Sequence, residues 1–127
     1  MYKIRSRYLA LKPDAVYLVD EPNGDSLFHL HSKDNNTVFI ENNHGQFLSF
    51  DDNLQVKNVR KRSPPFPYFL RESNPNNNKG GGTVVFKSLV HPDKCLGIDE
   101  GSSPSLVSCF LGEYSSAVVF EEVSLNV

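Results

Sequence analysis

The chain has 127 residues, of which 39% are hydrophobic, and its 13 Lys and Arg residues face 15 Asp and Glu residues for a net charge of −2. This length suits one hydrophobic core, so we expect a single domain over residues 1–127. The apolar runs are far shorter than the ~20 residues of a membrane-spanning helix, which excludes membrane insertion. The charge balance excludes the global basic field of a nucleic-acid-binding domain.

Short runs rich in Val, Ile, Phe and Tyr alternate with clusters of Asn, Asp, Gly, Pro and Ser along the whole chain. Such runs are typical of β-strands, and no window keeps a helical spacing of apolar residues over three turns. The predicted fold class is therefore all-β. The predicted strands are Tyr2–Ser6, Arg7–Leu11, Val16–Asp20, Leu27–His31, Thr37–Glu41, Phe47–Phe50, Leu54–Val59, Pro67–Glu72, Thr83–Leu89, Cys95–Asp99, Leu106–Phe110 and Val118–Val123.

An internal repeat organises these twelve strands. Segments beginning at Tyr8, Phe47 and Cys95 each contain an apolar residue, Leu, a small residue, an apolar residue, a polar turn and an aliphatic strand, and so predict three hairpins. With the strands before and after them, they form units 1–36, 37–82 and 83–127. Four strands repeated three times predict a β-trefoil with pseudo-threefold symmetry, because closure of six strands into a barrel removes exposed edges. Leu9, Leu48 and Leu96 are its expected equivalent core residues.

Three features bear on the cellular compartment. The cysteines, Cys95 and Cys109, are too few for a disulfide framework, and both are predicted to be reduced. The basic N-terminal stretch is followed by Lys12, Pro13 and Asp14, which interrupt any apolar core of a signal peptide. The Asn35-Asn36-Thr37 triplet fits a glycosylation acceptor, although a polar turn between strands is the favoured interpretation.

Candidate catalytic and metal-binding groups are sparse. His29 and His31 share one face of a strand, but a third metal ligand with recognisable spacing is missing, which favours a solvated strand face. No activating signature surrounds a pair of His91 with either cysteine. The glycines 80–82 lack the Lys-Ser/Thr of a phosphate-binding loop and predict a hairpin tip. The sequence therefore predicts no catalytic residue, no metal, no cofactor and no enzyme activity.

One local concentration of positive charge stands out. It consists of Lys57, Arg60, Lys61 and Arg62, and it leads into a proline-rich stretch over residues 63–67. Three interpretations are favoured: a solvated connection between strands, contact with an acidic partner, and glycosaminoglycan binding. A nuclear signal and a protease-processing site are less favoured alternatives.

A motif in the third repeat resembles the signature of the interleukin-1 cytokine family. It lies in the run Phe86-Lys87-Ser88-Leu89-Val90-His91-Pro92-Asp93-Lys94-Cys95-Leu96-Gly97-Ile98 and ends at Leu106. The residues that fit the signature are Phe86, Ser88, Leu89, Pro92, Leu96 and Leu106. Two further segments are similar to strands of the family, namely 45–56 and 117–123. The family fold is a β-trefoil, the fold that the repeats predict independently.

The resemblance implies a secreted, monomeric signalling protein that is cytoplasmic before leaderless release and extracellular afterwards. Such a protein binds an immunoglobulin-domain receptor and recruits an accessory receptor chain to trigger inflammatory or immune signalling. A rigid scaffold would present loop-built contact surfaces of roughly 800 Å² per partner. The expected receptor-binding residues, chosen for charge or aromatic character on predicted loops, are Lys33, Asp34, Lys57, Arg60, Lys61, Arg62, Glu113 and Tyr114.

Other functions fit the same sequence. A receptor antagonist of the same family would keep one binding surface and lose the other. A heparin-binding, growth-factor-like trefoil would use the basic segment 57–62. A trefoil protease inhibitor or another interaction module would insert an exposed loop, such as residues 63–67, into its partner.

Overall fold

The computed structural model describes residues 1–13, 15–60, 68–73, 82–101, 103–109 and 116–123. These residues form twelve β-strands, as predicted, and one turn of 3₁₀ helix at Gly24–Ser26. The strands are β1 (Tyr2–Ile4), β2 (Arg7–Lys12), β3 (Ala15–Val19), β4 (His29–Ser32), β5 (Thr37–Glu41), β6 (Phe47–Phe50), β7 (Val56–Val59), β8 (Tyr68–Ser73), β9 (Thr83–Ser88), β10 (Lys94–Ile98), β11 (Pro104–Ser108) and β12 (Phe120–Glu122). None of the described segments is a helix capable of crossing a membrane.

All strands belong to one antiparallel sheet. Six of them follow one another in space in the order β4–β5–β8–β9–β12–β1. The other six form the hairpins β2–β3, β6–β7 and β10–β11. Among the described residues no pairing joins β1 to β4, so the sheet is open at this seam. The all-β class is confirmed, whereas closure into a symmetric trefoil stays a prediction.

The three leucines predicted to be equivalent are all in the core. Leu9, Leu48 and Leu96 are 2%, 0% and 0% exposed, and they belong to the same hydrophobic cluster. Each lies on the first strand of its hairpin. Phe69 and Phe86 fill the same cluster from the paired strands β8 and β9. The apolar strand pattern therefore builds one core from all three repeats.

The second and third hairpins use the same turn chemistry. In the second, Asp51 Oδ1 accepts hydrogen bonds from the backbone amides of Asn53 at 2.9 Å and Gln55 at 3.0 Å. In the third, Asp99 Oδ1 accepts from the amides of Gly101 at 2.9 Å and Ser103 at 3.0 Å. An Asp side chain suits this position because its oxygen satisfies backbone donors that the turn leaves unpaired. The first hairpin is tighter, because Lys12 pairs directly with Ala15.

Hydrogen bonds join the second hairpin to the first and to the third. The side-chain amide of Asn58, on the second hairpin, donates to the carbonyl oxygen of Lys12 in the first hairpin at 2.7 Å. The backbone amide of Leu106, on the third hairpin, donates to the carbonyl oxygen of Leu54 in the second at 2.8 Å. The three repeats are therefore joined by hydrogen bonds to backbone carbonyl oxygens as well as through the core.

The expectation of reduced cysteines is wrong. Cys95 and Cys109 form a disulfide with a Cα–Cα distance of 5.2 Å. The pairing of β10 with β11 sets Cys95 opposite Val107 and so carries Cys109 to the same place. Both cysteines are fully buried, in a second cluster with Val85 and Val118. The two cysteines meet because β10 pairs with β11. The spacing of the cysteines in the sequence does not by itself reveal this pairing.

Candidate functional site

Four of the predicted receptor-binding residues lie in the described chain, and all four are exposed. Lys33 and Asp34 follow β4 in the connection to β5. Lys57 is on β7, and Arg60 comes directly after that strand. The other predicted contacts lie outside the described residues; they are Lys61, Arg62, Glu113 and Tyr114.

A cluster of half-buried aromatic side chains lies beside Lys33, and we call it the aromatic surface: His31, Phe39, Phe47 and Tyr68. The ring of Phe39 contacts all three others, with centroid distances of 4.8 Å to His31, 5.7 Å to Phe47 and 6.0 Å to Tyr68. Phe39 points away from the core because its neighbours Val38 and Ile40 point into it, and side chains alternate along a strand. Aromatic side chains in this setting are the type that dominates protein–protein binding energy.

Lys33 is held over the aromatic surface. Its ammonium nitrogen lies 4.6 Å from the centre of the Tyr68 ring. Its backbone amide donates to the carbonyl oxygen of Thr37 at 2.8 Å, which closes the turn between β4 and β5. A cation over an aromatic face is worth about 0.5–1 kcal/mol at an exposed position. These contacts therefore hold the charge of Lys33 next to the apolar side chains of the aromatic surface.

The two histidines share a strand face, as predicted. The rings of His29 and His31 have their centres 6.2 Å apart, and His31 Nε2 lies 2.8 Å from Glu41 Oε1. In the part of the chain that is described, no group of three or more His, Cys, Asp and Glu side chains is placed to hold a metal ion. His31 belongs to the aromatic surface and has Glu41 as an acidic neighbour, and His29 lies beside His31.

The basic segment begins at another edge of this surface. Phe47 pairs with Val59 across the second hairpin, and Arg60 follows Val59 directly. Lys57 lies two residues earlier on the same strand, where it pairs with Ser49. Of the predicted contacts, Lys33 therefore contacts the aromatic surface through Tyr68, whereas Arg60 follows the strand partner of Phe47 in the chain.

Exposed aliphatic side chains extend the apolar area next to Tyr68. Leu89 and Val90 are 44% and 43% exposed, although both are large hydrophobic residues. The backbone amide of Leu89 donates to the carbonyl oxygen of Tyr68 at 3.4 Å, which places this turn next to β8. Neighbouring exposed apolar residues beside an aromatic cluster are typical of a binding surface.

Sequence reasoning missed the aromatic surface because its search was restricted to loops. The strand Thr37–Glu41 did contain a usable signal. Since Val38 and Ile40 are expected to point into the core, alternation along the strand predicts that Phe39 points to the outer face of the sheet. The proximity of Phe39 to Tyr68 depends on the β5–β8 pairing, in which these two residues are partners. That pairing joins separate repeats and is not visible in either strand alone.

A polar cleft of about 300 Å³ lies at the open seam of the sheet. Arg71 and Glu122 form an ion pair in its wall, beside Tyr2, Asn35 and Asn36. Burial, followed by the charge of Glu122, raises the pKa of the Tyr2 phenol. The cleft therefore holds hydrogen-bonding groups with two charges that offset each other.

No family model and no curated protein matches this chain.

Proposed function

We propose that the chain is a β-trefoil cytokine similar to the interleukin-1 family, which binds an immunoglobulin-domain receptor through the aromatic surface and its basic edges. It is a binding protein and not an enzyme, and it acts outside the cell by bringing a receptor and an accessory chain together. The observation that carries the proposal is the placement of Lys33 over Tyr68, next to Phe39 and Phe47 on the outer face of the sheet.

The strand order supports the trefoil part of this proposal. The series β4–β5–β8–β9–β12–β1 is the order of a six-stranded barrel that lacks one pairing, between β1 and β4. The Tyr2 ring on β1 stacks on Phe28, just before β4, with centroids 5.7 Å apart. In the proposed fold this aromatic contact closes the seam, and the three hairpins that meet through Asn58 and Leu106 cap one end of the barrel.

The motif residues fit a structural role in the third repeat. Phe86, Leu96 and Leu106 are buried in the main cluster, and Leu96 pairs directly with Leu106 across the β10–β11 hairpin. Ser88 is buried, and its hydroxyl oxygen accepts a hydrogen bond from the backbone amide of His91 at 3.1 Å. These contacts account for the residue types at Phe86, Ser88, Leu96 and Leu106, and they support the resemblance.

The proposed mechanism is induced proximity. The aromatic surface supplies the apolar centre of one interface, and Lys33, Lys57 and Arg60 supply a cationic rim that favours a receptor face carrying acidic residues. A second surface, elsewhere on the molecule, recruits the accessory chain. Rim charges mainly raise the association rate, whereas the aromatic centre slows dissociation.

Surface plasmon resonance against a panel of interleukin-1-family receptor ectodomains tests this proposal. Wild-type protein is expected to bind one member, and Lys33→Ala is expected to weaken that binding severalfold. Lys12→Ala is a matched control, because Lys12 also lies over a tyrosine ring, that of Tyr17 at 5.1 Å, but on the first hairpin. Lack of binding to every ectodomain, or equal loss in both variants, would contradict the proposal.

A heparin-binding growth factor is the second candidate, and the exposure of Lys57 and Arg60 near one end of β7 favours it. Retention on a heparin column measures it directly. If this candidate is right, Lys57→Ala and Arg60→Ala elute at lower salt than wild type, because a protein with one cation fewer releases fewer counterions from the polyanion when it binds. Elution of wild type in the low-salt flow-through would exclude it.

A further inference from the structure

The connection between β4 and β5 carries the Asn35-Asn36-Thr37 triplet, which is the one Asn-x-Ser/Thr sequence in the chain. Asn35 is exposed, and the hydrogen bond from the amide of Lys33 to the carbonyl oxygen of Thr37 closes the turn on which it lies. Within the described segments the side-chain amide of Asn35 has no hydrogen-bond partner. The side chain of Asn35 is therefore accessible in the folded protein.

The disulfide supplies an independent indication of compartment. Cys95 and Cys109 are the only cysteines of the chain, and they are bonded to each other. Disulfides form and persist in the secretory pathway and outside the cell, whereas cytosolic thiols are kept reduced. The oxidising lumen in which such a bond forms is also where asparagine-linked glycans are added. The bond and the triplet thus point to the same compartment, which differs from the leaderless route that the family resemblance implies.

We propose that Asn35 is an N-glycosylation site, modified in the compartment in which the Cys95–Cys109 disulfide forms. The donor is a lipid-linked oligosaccharide diphosphate. A bond forms between Asn35 Nδ2 and the anomeric carbon of the first sugar while the bond from that carbon to the diphosphate oxygen breaks. The amide nitrogen loses one proton to a base of the transferase, and the lipid diphosphate is the leaving group.

The burial of Thr37 indicates when this reaction occurs. Thr37, whose hydroxyl completes the acceptor sequence, is only 8% exposed as the first residue of β5. The transferase must therefore read the triplet before β5 joins the sheet. Asn35 stays exposed after folding, so the attached glycan does not have to be buried.

The surroundings of Asn35 suit an attached sugar. Asn35 lines the polar cleft at the seam, together with Asn36 and the Arg71–Glu122 ion pair. Since the two charges offset each other, the cleft offers hydrogen-bonding groups without a net charge, which matches a neutral, hydroxyl-rich ring. Asn35 is also two residues from Lys33, so the glycan borders the aromatic surface. The site itself does not depend on the proposed receptor binding.

Expression of the full chain behind a cleavable secretory signal in eukaryotic cells tests the proposal. Intact mass is expected to show a glycan that peptide N-glycosidase removes, with conversion of Asn35 to Asp. Asn35→Gln and Thr37→Val are expected to abolish the modification. Thr37→Ser is the matched control, because it keeps the acceptor hydroxyl and should keep the glycan.

Blocking of free thiols before mass analysis makes a negative result decisive. Secreted protein in which Cys95 and Cys109 resist alkylation has passed through the oxidising compartment. If that protein carries an unmodified Asn35, the proposal is wrong. A glycosylated protein that binds no receptor ectodomain would support the site and count against the proposed cytokine function.

Discussion

The carbonyl oxygen of Ala117 occupies the space that a side chain on Gly97 would need. A Cβ on Gly97 would collide with this oxygen and would also lie 3.0 Å from methyl groups of Val107 and Val118. The same oxygen accepts a hydrogen bond from the backbone amide of Ile98 at 3.0 Å. Gly97 therefore allows the segment before β12 to pack directly against β10.

Gly97→Ala is expected to destabilise the protein by about 1–3 kcal/mol, because the new methyl group meets backbone that cannot move aside like a flexible side chain. Urea denaturation followed by circular dichroism measures the change. Gly24→Ala is the control, since nothing lies within 4 Å of a Cβ at that position. Equal unfolding midpoints for the two variants would show that the Ala117 segment is free to shift.

The sequence predicted local features of the fold better than contacts between strands. Alternation of residue types identified all twelve strands, and the leucines at 9, 48 and 96 were assigned to the core correctly. These features depend on a few neighbouring residues. The internal repeat places Gly97 where a small residue is expected, but only the packing of Ala117 explains why no side chain fits.

The binding surface and the disulfide could not be predicted in the same way. Phe39 and Tyr68 meet because β5 and β8 pair, and Cys95 reaches Cys109 because of the β10–β11 register. In both cases the decisive information is which residue faces which across two strands. Among the predicted contacts, Lys33 lies at the aromatic surface, but nothing in its own loop sequence indicated Tyr68 as its partner.

Removal of the disulfide tests its contribution to stability. The bond joins residues 14 apart, and closing a loop of that size is expected to stabilise the fold by about 3 kcal/mol. Dithiothreitol should therefore lower the urea midpoint of wild-type protein markedly. The double variant Cys95→Ala, Cys109→Ala should unfold at a similarly low urea concentration and show no response to dithiothreitol. A wild-type midpoint that does not respond, despite verified reduction, would contradict this expectation.

The turn between β1 and β2 offers a stabilising change. Ile4 pairs with Arg7, and the two residues between them, Arg5 and Ser6, have φ angles of 47° and 70°. Side chains other than glycine are strained in this region, so Ser6→Gly is expected to add about 0.5 kcal/mol of stability after the entropic cost of glycine. Thermal unfolding measures the effect. Ser6→Val should change the melting temperature in the opposite direction, and a lower melting temperature for Ser6→Gly would refute the argument.

The turn of the third hairpin predicts a stability that depends on pH. Hydrogen bonds from the amide of Ser103 and then from the hydroxyl of Ser105 hold the pKa of the Asp99 carboxyl below its usual range. Because the folded protein binds this proton less tightly than the unfolded chain, the stabilisation is fully present above the ordinary Asp pKa of about 3.9 and is lost as the pH falls through the lowered value.

An NMR titration of the Asp99 carboxyl carbon should give this lowered pKa, and Ser105→Ala should raise it towards the ordinary one. Asp99→Asn has no carboxyl to protonate at this position, so its free energy of unfolding should fall less between neutral and acidic pH than that of wild type, as measured by urea unfolding. Titration of Asp99 at its ordinary value in the folded protein would contradict the assignment.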